Sequence, residues 1–555
     1  MHFANFVKLL ILVWAILPAL TSAESVIGLN IGTVYSSVSS VVEDTTVRKI
    51  ETIPSYVGIS NEGLIVGHAA KEKAISDPKN VAFGLKRLLG LNWEQVKKHA
   101  EDYPFDLDED NGRVVVRFER GNKTFTLVEL VSAIIRDLKN TSSHFLDEDI
   151  QKAVIAVPAF FTQAQRHAMI EAANLAGLDV LRLISEASAA TLAYRINGTD
   201  DSLIMVVDLG GGTLDISLVY IKDKTLSTII NGGHNHLGGL DFDNNVMRYY
   251  KKKYKEKGVI QHKLRSQVIL AKEKLSKADK YELQIECENE TIPEILTRTD
   301  FDRMNIDLYE KIEQSITETF HHAGFERTII DEVLLTGGAL HTAMIKKLLS
   351  SYFGITTQLR VLDGSATTSN GAALLGAALS GNPNLMDYKI QASIAHDIGV
   401  ETNQKNMHVY HSAGLPLPQN NISVWLNNNE ILTVDGQKVI NIYEGRNKKK
   451  ADDNLLVNKI ILKEPNCTDT RTKLTIFVDE SNIIESSAET FCIKRMTKEN
   501  IRQLAEEKRA VHRANLERKG TNTPGKTENK FTISFPAQKN YFINTIQVDN
   551  EAKTT

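Results

Sequence analysis

The chain has 555 residues, 42% of them hydrophobic and 24% charged, and carries a formal net charge of -4. Such values describe a folded chain with apolar material for several domains. They exclude the domain-scale basic face that grips nucleic acid. Three cysteines are too few for a disulfide framework; Cys467 and Cys492 share one region and can pair, leaving Cys287 free.

At the start, Lys8 precedes an apolar run from Leu9 to Leu20, and Thr21-Ser22-Ala23 supplies a small-residue cleavage site. This reads as a secretory signal peptide. The run is about twelve residues, short of the roughly twenty that span a bilayer, and no other stretch is long and apolar enough to cross a membrane. The end, Glu551-Ala552-Lys553-Thr554-Thr555, has no Lys-Asp-Glu-Leu type signal. The expectation is therefore the endoplasmic reticulum lumen or secretion. Asn-x-Ser/Thr sites at Asn122, Asn140, Asn197, Asn289, Asn421 and Asn466 would then meet the glycosylation machinery.

The next stretch, Val26-Ile27-Gly28-Leu29-Asn30-Ile31-Gly32-Thr33-Val34-Tyr35-Ser36-Ser37-Val38, reads strand, polar residue, Gly-Thr, strand. Thr126 and Glu129 form a capping box that opens an amphipathic helix predicted through Leu138. The apolar run Ala153 to Val157 reads as a buried strand that Pro158 ends. Thr162 and Gln165 cap a second helix, predicted to reach Ala176 with Gly177 as its C-cap.

Val206-Val207-Asp208-Leu209-Gly210-Gly211-Gly212-Thr213-Leu214-Asp215 then repeats the grammar of the first hairpin, between strands from Leu203 to Val207 and from Leu214 to Tyr220. Glycines let a turn take positive φ and bring backbone N–H groups close to a ligand. A carboxylate just before them can hold a metal-bound water, and the Thr can donate to phosphate oxygens. The loop lacks the Gly-Lys-[Ser/Thr] ending of a P-loop, and a strand follows where a dinucleotide fingerprint needs a helix. Two such hairpins about 180 residues apart suggest a duplicated α/β domain, each half offering a phosphate loop to one cleft.

Further on, Lys272 and Ser276 stand four apart and share a helix face. A third glycine pair, Gly337-Gly338, follows a strand from Glu332 to Leu335, and Ala372 to Leu379 is a small-residue helix. Lys251 to Lys253 and Lys448 to Lys450 read as a solvated helix or loop. From about Pro383 the texture turns to short alternating segments, Val424 to Leu426, Ile431 to Val434, Val439 to Tyr443 and Leu474 to Val478, a small β-domain. Residues 497 to 518 are helical and densely charged. The tail from Gly520 is polar, with one late β-like run, Phe531 to Phe535.

These segments resemble the seventy-kilodalton heat-shock chaperone family, within the actin-like ATPase superfamily. The likeness rests on Val206 to Asp215, Ala156-Val157-Pro158-Ala159-Phe160-Phe161, Thr52-Ile53-Pro54-Ser55-Tyr56-Val57 and His236-Leu237-Gly238-Gly239-Leu240-Asp241-Phe242-Asp243. Leu85-Lys86-Arg87-Leu88-Leu89-Gly90 and Ala176 to Glu186 join them, in the family's order. After the signal peptide (1–23), the resemblance implies an α/β fold: an actin-like two-lobed nucleotide-binding domain (24–382), a divergent linker (383–396), a β-sandwich peptide-binding domain (397–496), a partial lid helix (497–519) and a polar tail (520–555). It implies ATP or ADP with Mg²⁺, unfolded or nascent polypeptides as clients, and a J-domain co-chaperone and nucleotide-exchange factor as partners.

By the same resemblance, Lys86 positions the attacking water and the γ-phosphate, where a compact cation handles negative charge. Glu186 and Asp208 are the acidic pair near magnesium, held through water. Thr33 and Thr213 contact phosphate. Gly32, Val34, Tyr35, Gly210, Gly211, Gly212, Gly239, Gly337 and Gly338 line phosphates or ribose, and Lys272 and Ser276 pack on adenosine. Pro158 and Arg166 relay nucleotide state to the other domain.

The chain also departs from the family pattern. Asn30 stands where the family has Asp and Val34 where it has a second Thr, so slower hydrolysis is expected. Ile269, Glu273, Ala339 and His341 replace residues that are commonly Glu, Arg, Ser and Arg, and Ser365 replaces an Asp. The linker, Tyr388 to Val400, has no leucine run. Two other readings stay open: a pseudo-ATPase or exchange-type co-chaperone that binds ATP with little turnover, and a small-molecule kinase of the same superfamily.

Overall fold

The computed structural model describes residues 25–195, 201–354, 357–362, 364–463, 470–494 and 542–543. The leader at 1–23, Asn197, Asn466, Cys467, the charged segment 497–519 and the run Phe531 to Phe535 lie outside the described residues. So do the side chains of His341, Ser365 and Cys492.

Two lobes share one plan. In the first, five strands run in the order Asp179–Ser185, Lys152–Val157, Val26–Asn30, Tyr35–Glu43, Thr46–Pro54. Val26–Asn30 pairs parallel with Lys152–Val157 and antiparallel with Tyr35–Glu43. In the second lobe the order is Gln358–Val361, Glu332–Thr336, Ser202–Leu209, Leu214–Lys222, Thr225–His234, Lys389–Gln391. Ser202–Leu209 again pairs parallel on one side and antiparallel on the other. The central strands are buried on both faces, which is why they read as continuous apolar runs.

Capping sets the helices. Thr126 and Glu129 form the expected box, but the helix Leu127–Leu146 runs past Leu138. Ser142 is buried there and returns its hydroxyl to the Leu138 carbonyl at 2.7 Å, so a polar residue continues the buried face. The helix stops at Asp147, which takes φ +53. Thr162 and Gln165 cap Gln163–Leu175, and Gly177 follows with φ +78.

The lobes meet where the helices Glu186–Arg195 and Gly364–Leu379 cross. Glycine is required at the crossing: a Cβ on Gly371 would stand 1.8 Å from the Ala189 carbonyl oxygen, and one on Gly28 2.1 Å from the Ala373 nitrogen. Val26, Val154, Ala187, Ile204, Val206, Leu334 and Ala372 close this shared core.

The linker segment Lys389–Gln391 adds itself to the second lobe as an edge strand, parallel to Thr225–Ser227. Tyr388 and Ile390 pack against the shared core while Lys389 and Gln391 stay exposed. Alternation gives this edge strand one apolar face without a run of leucines.

Beyond it lie two sheets. Met407–His411, Asp397–Glu401, Gln437–Gly445 and Leu432–Val434 form one, with Leu455–Ile461 also paired to Gln437–Gly445. Gln419–Trp425, Thr470–Val478 and Ile484–Lys494 form the main part of the other. Ile398, Val400, Ile440 and Ile442 from the first sheet meet Leu474, Ile476, Val478 and Ile484 from the second in one core, a sandwich. No helix among the described residues is long and apolar enough to cross a membrane.

Candidate functional site

The two glycine hairpins face each other across the cleft between the lobes. A Cβ on Gly211 would lie 2.3 Å from Val34 Cγ2, and one on Gly212 2.8 Å from Thr33 Oγ1. Any side chain there would push the loops apart. The second-lobe hairpin is tied behind to the helix Gly239–Lys253, with Gly239 N donating to the Gly210 carbonyl at 2.9 Å and Leu240 N to that of Gly211 at 2.8 Å. Gly337 takes φ +97 beside Asp208, where a Cβ would be 2.6 Å from Asp208 Oδ1.

Four charged side chains converge at the base. Lys86 and Glu186 are both buried and form an ion pair, although they are 100 positions apart. Asp208 and Asp215 sit directly opposite each other in the hairpin register. Ala159 N donates to Asp215 Oδ1 at 2.9 Å. Three carboxylates and one lysine in a buried place leave excess negative charge. Burial, then Glu186 and Asp215, push the Asp208 carboxyl well above the usual range, against the pull of Lys86. Burial and Glu186 push Asp215 up to about 7.

Sequence reasoning does not single out Asp215. The signal was available, since an Asp at each end of a tight hairpin becomes a cross-strand pair.

Around this cluster several buried polar atoms have no partner among the described residues: Asn30 Oδ1, Asp215 Oδ2 and Thr336 Oγ1. Buried acceptors of that kind are costly unless something meets them. A hydrated cation with phosphates would, and surplus carboxylate charge favours it. No three His, Cys, Asp or Glu side chains converge as direct metal ligands among the described residues. That suits magnesium, which keeps its waters and takes few carboxylates. The residues fit the group.

Other sequence candidates are placed differently. Thr33 and Thr213 are buried at the hairpin turns. A Cβ on Gly32 would meet the Tyr35 carbonyl at 2.1 Å, so it serves the turn itself. Tyr35 is 39% exposed, and its hydroxyl accepts from Lys71 at 3.1 Å rather than lining the gap. Lys272 donates to the Gly239 carbonyl at 2.9 Å and to Asp243 at 2.7 Å, close to the glycine loop. Ser276 is not inside the helix with Lys272: Gln261–Leu275 ends before it, and as the C-cap its hydroxyl turns back to the Glu273 carbonyl. Gly338 has open space at its Cβ position.

Pro158 and Arg166 connect this cluster to the sandwich. Pro158 ends its strand, and the next residue, Ala159, supplies the N–H on Asp215. Arg166 donates to the carbonyls of Ala159 at 2.9 Å, Phe161 at 3.2 Å and Ser481 of the sandwich at 3.1 Å. Burial lowers its pKa to about 10. Beside it, Gln163 donates its backbone N–H to Glu444 at 2.7 Å and its side-chain amide to the Asn482 carbonyl at 2.7 Å, and accepts from Ile484 N at 3.0 Å.

A family model described as Hsp70 protein matches residues 26–533. The chain belongs to the Hsp70 family. Hsp70 proteins are ATP-dependent chaperones and ATPases that bind ATP and ADP, typically with Mg²⁺, and take unfolded polypeptides and co-chaperones as partners. The mixed α/β architecture is that of the Hsp70 actin-like ATPase. When bound, the Mg²⁺ nucleotide supplies the phosphoryl bond to be broken and the charge that the carboxylates neutralise. This Hsp70 chain's residues supply two hairpins in close contact, a lysine held by Glu186, and carboxylates able to hold or take a proton.

Proposed function

We propose that this chain is a lumenal or secreted Hsp70-type chaperone whose ATP site controls the binding of extended apolar segments of unfolded proteins by its β-sandwich. One observation carries the reading: an unbroken path of bonds runs from Asp215 through Ala159 and Arg166 to Ser481. A change in charge at the carboxylate cluster therefore moves a donor whose other end lies in the sandwich. Extended peptides suit such a sandwich because backbone bonding gives affinity and pockets select side chains. The signal-like sequence at 1–23 supports the secretory route.

Lys86, Glu186, Asp208 and Thr213 are assigned to hydrolysis, with Glu186 and Asp208 holding Mg²⁺ through water. The glycine loops, Thr33 and Lys272 hold nucleotide, and Pro158 with Arg166 transmits its state. Turnover is slow, because Asn30 brings no charge and accepts no proton, and Val34 offers a methyl where a hydroxyl would serve. The same two residues favour the second reading, an ATP-binding pseudo-ATPase. Single-turnover ATP hydrolysis with Mg²⁺, with and without an unfolded peptide, separates them. Peptide-stimulated turnover that Arg166→Ala abolishes is the expected result; ATP binding with no turnover under either condition selects the second reading.

A further inference from the structure

Away from the carboxylates, the two lobes touch again. Arg87 from the first lobe donates through Nε to His236 Nδ1 of the second at 3.0 Å, and through Nη2 to Asp241 at 2.7 Å. The rings of His99 and His236 stack across the gap, centroids 5.2 Å apart and planes 17° off parallel. Arg265 of the second lobe donates to the Asp102 carbonyl of the first at 2.6 Å. Arg87, His99, Tyr103, His236 and Arg265 wall a small cavity between the lobes. His236 stands two residues before Gly238, whose Cβ position lies 2.5 Å from the Gly212 nitrogen, so the contact is mechanically close to the phosphate hairpin.

This geometry demands one protonation state. Nδ1 of His236 accepts from a guanidinium, which only a neutral ring can do. A proton on Nδ1 turns the acceptor into a donor aimed at a fixed cation, and places charge on a stacked pair. We infer that His236, stacked on His99 and bonded to Arg87, is an acid-sensitive clasp that holds the lobes closed and sets how fast nucleotide leaves; the nucleotide part rests on the function proposed above.

The groups facing the pair agree in sign. Arg87, His99 and His234 all resist a charge on His236, while Asp241 is occupied by Arg87. Asp102 lies 3.8 Å from His99 Nδ1 on the far side of the stack, while the acceptor aimed at Arg87 is Nδ1 of His236. Tyr103 and Arg265 complete the wall, and Arg265 adds a further cation. Burial, then Arg87, lowers the pKa of His236 in the closed cleft to about 4. Its open, solvated value is near 6.5. The clasp is thus fully present above about pH 6.5 and is lost as pH falls toward 4, with opening favoured about tenfold at pH 5.5.

The experiment follows release of a fluorescent ADP analogue with Mg²⁺ from the full chain between pH 7.5 and 5.5. In parallel, energy transfer between dyes at exposed Lys98 and Glu256 reads the lobe separation without nucleotide. Release and opening should both rise about tenfold in the natural chain, and the rise should vanish in His236→Gln, whose amide oxygen accepts from Arg87 at any pH. A flat natural profile, or an equal slope in His236→Gln, overturns the clasp. A chain that binds no nucleotide defeats the proposed function, and the dye separation then decides the clasp by itself.

Discussion

The two hairpins occupy equivalent places in a duplicated plan, yet they are chemically unequal. Each hairpin has a buried threonine, but the second-lobe hairpin adds a carboxylate at each end and three glycines, whereas the first has Asn30, a single Gly32 and Val34. One side holds an excess of negative charge, while the other offers an amide and a methyl group packed tightly against Gly211. Shape complementarity has been kept across the cleft and charge complementarity has not. Holding a polyphosphate and cleaving it are therefore separable properties of this site.

Three substitutions test that inequality, in falling order of effect. Asp208→Asn removes the carboxylate nearest Gly337 and should lower single-turnover ATP hydrolysis by about 10²–10³; a loss below fivefold would show that the second hairpin is not the active half. Gly211→Ala drives a methyl into Val34 and should destabilise the fold by about 1–3 kcal/mol. Adding Val34→Ala should restore much of it in urea unfolding, and no restoration would mean that the loops are not in contact. Asn30→Asp should raise turnover about tenfold, less than the 10²–10⁴ that a positioned acid or base contributes, because Val34 still lacks the hydroxyl. The variant adds a fourth carboxylate to a buried cluster, so its melting temperature should fall without Mg²⁺ and recover with it. Unchanged turnover would place the defect at Val34 instead.

What could be read from the residues was local. The hairpins, capping boxes, buried strands and the sandwich pattern all follow from short-range rules about glycine, caps and alternation. What could not be read is long-range. Nothing in the neighbourhood of Lys86 announces Glu186, because their pairing depends on how two segments of one lobe pack. Asp215 was overlooked because its role comes from being opposite Asp208, a matter of register rather than composition. The linker has no leucine run, and that Tyr388 and Ile390 place one face of it on the core is a matter of packing, not of motif. Ser276 was expected inside its helix, and the helix ends one residue sooner.

Arg166 gives the joint between the domains an unusual temperament. Its donors end on carbonyl oxygens of Ala159, Phe161 and Ser481, dipoles fixed by backbone, rather than on a carboxylate. A planar guanidinium keeps its donors in a rigid fork, so a small turn of the Ala159 peptide cannot be followed at Ser481 by bending. Buried and dipolar, this tie is screened little by salt. Ionic strength leaves such a coupling alone, and a rotation of one peptide unit does not.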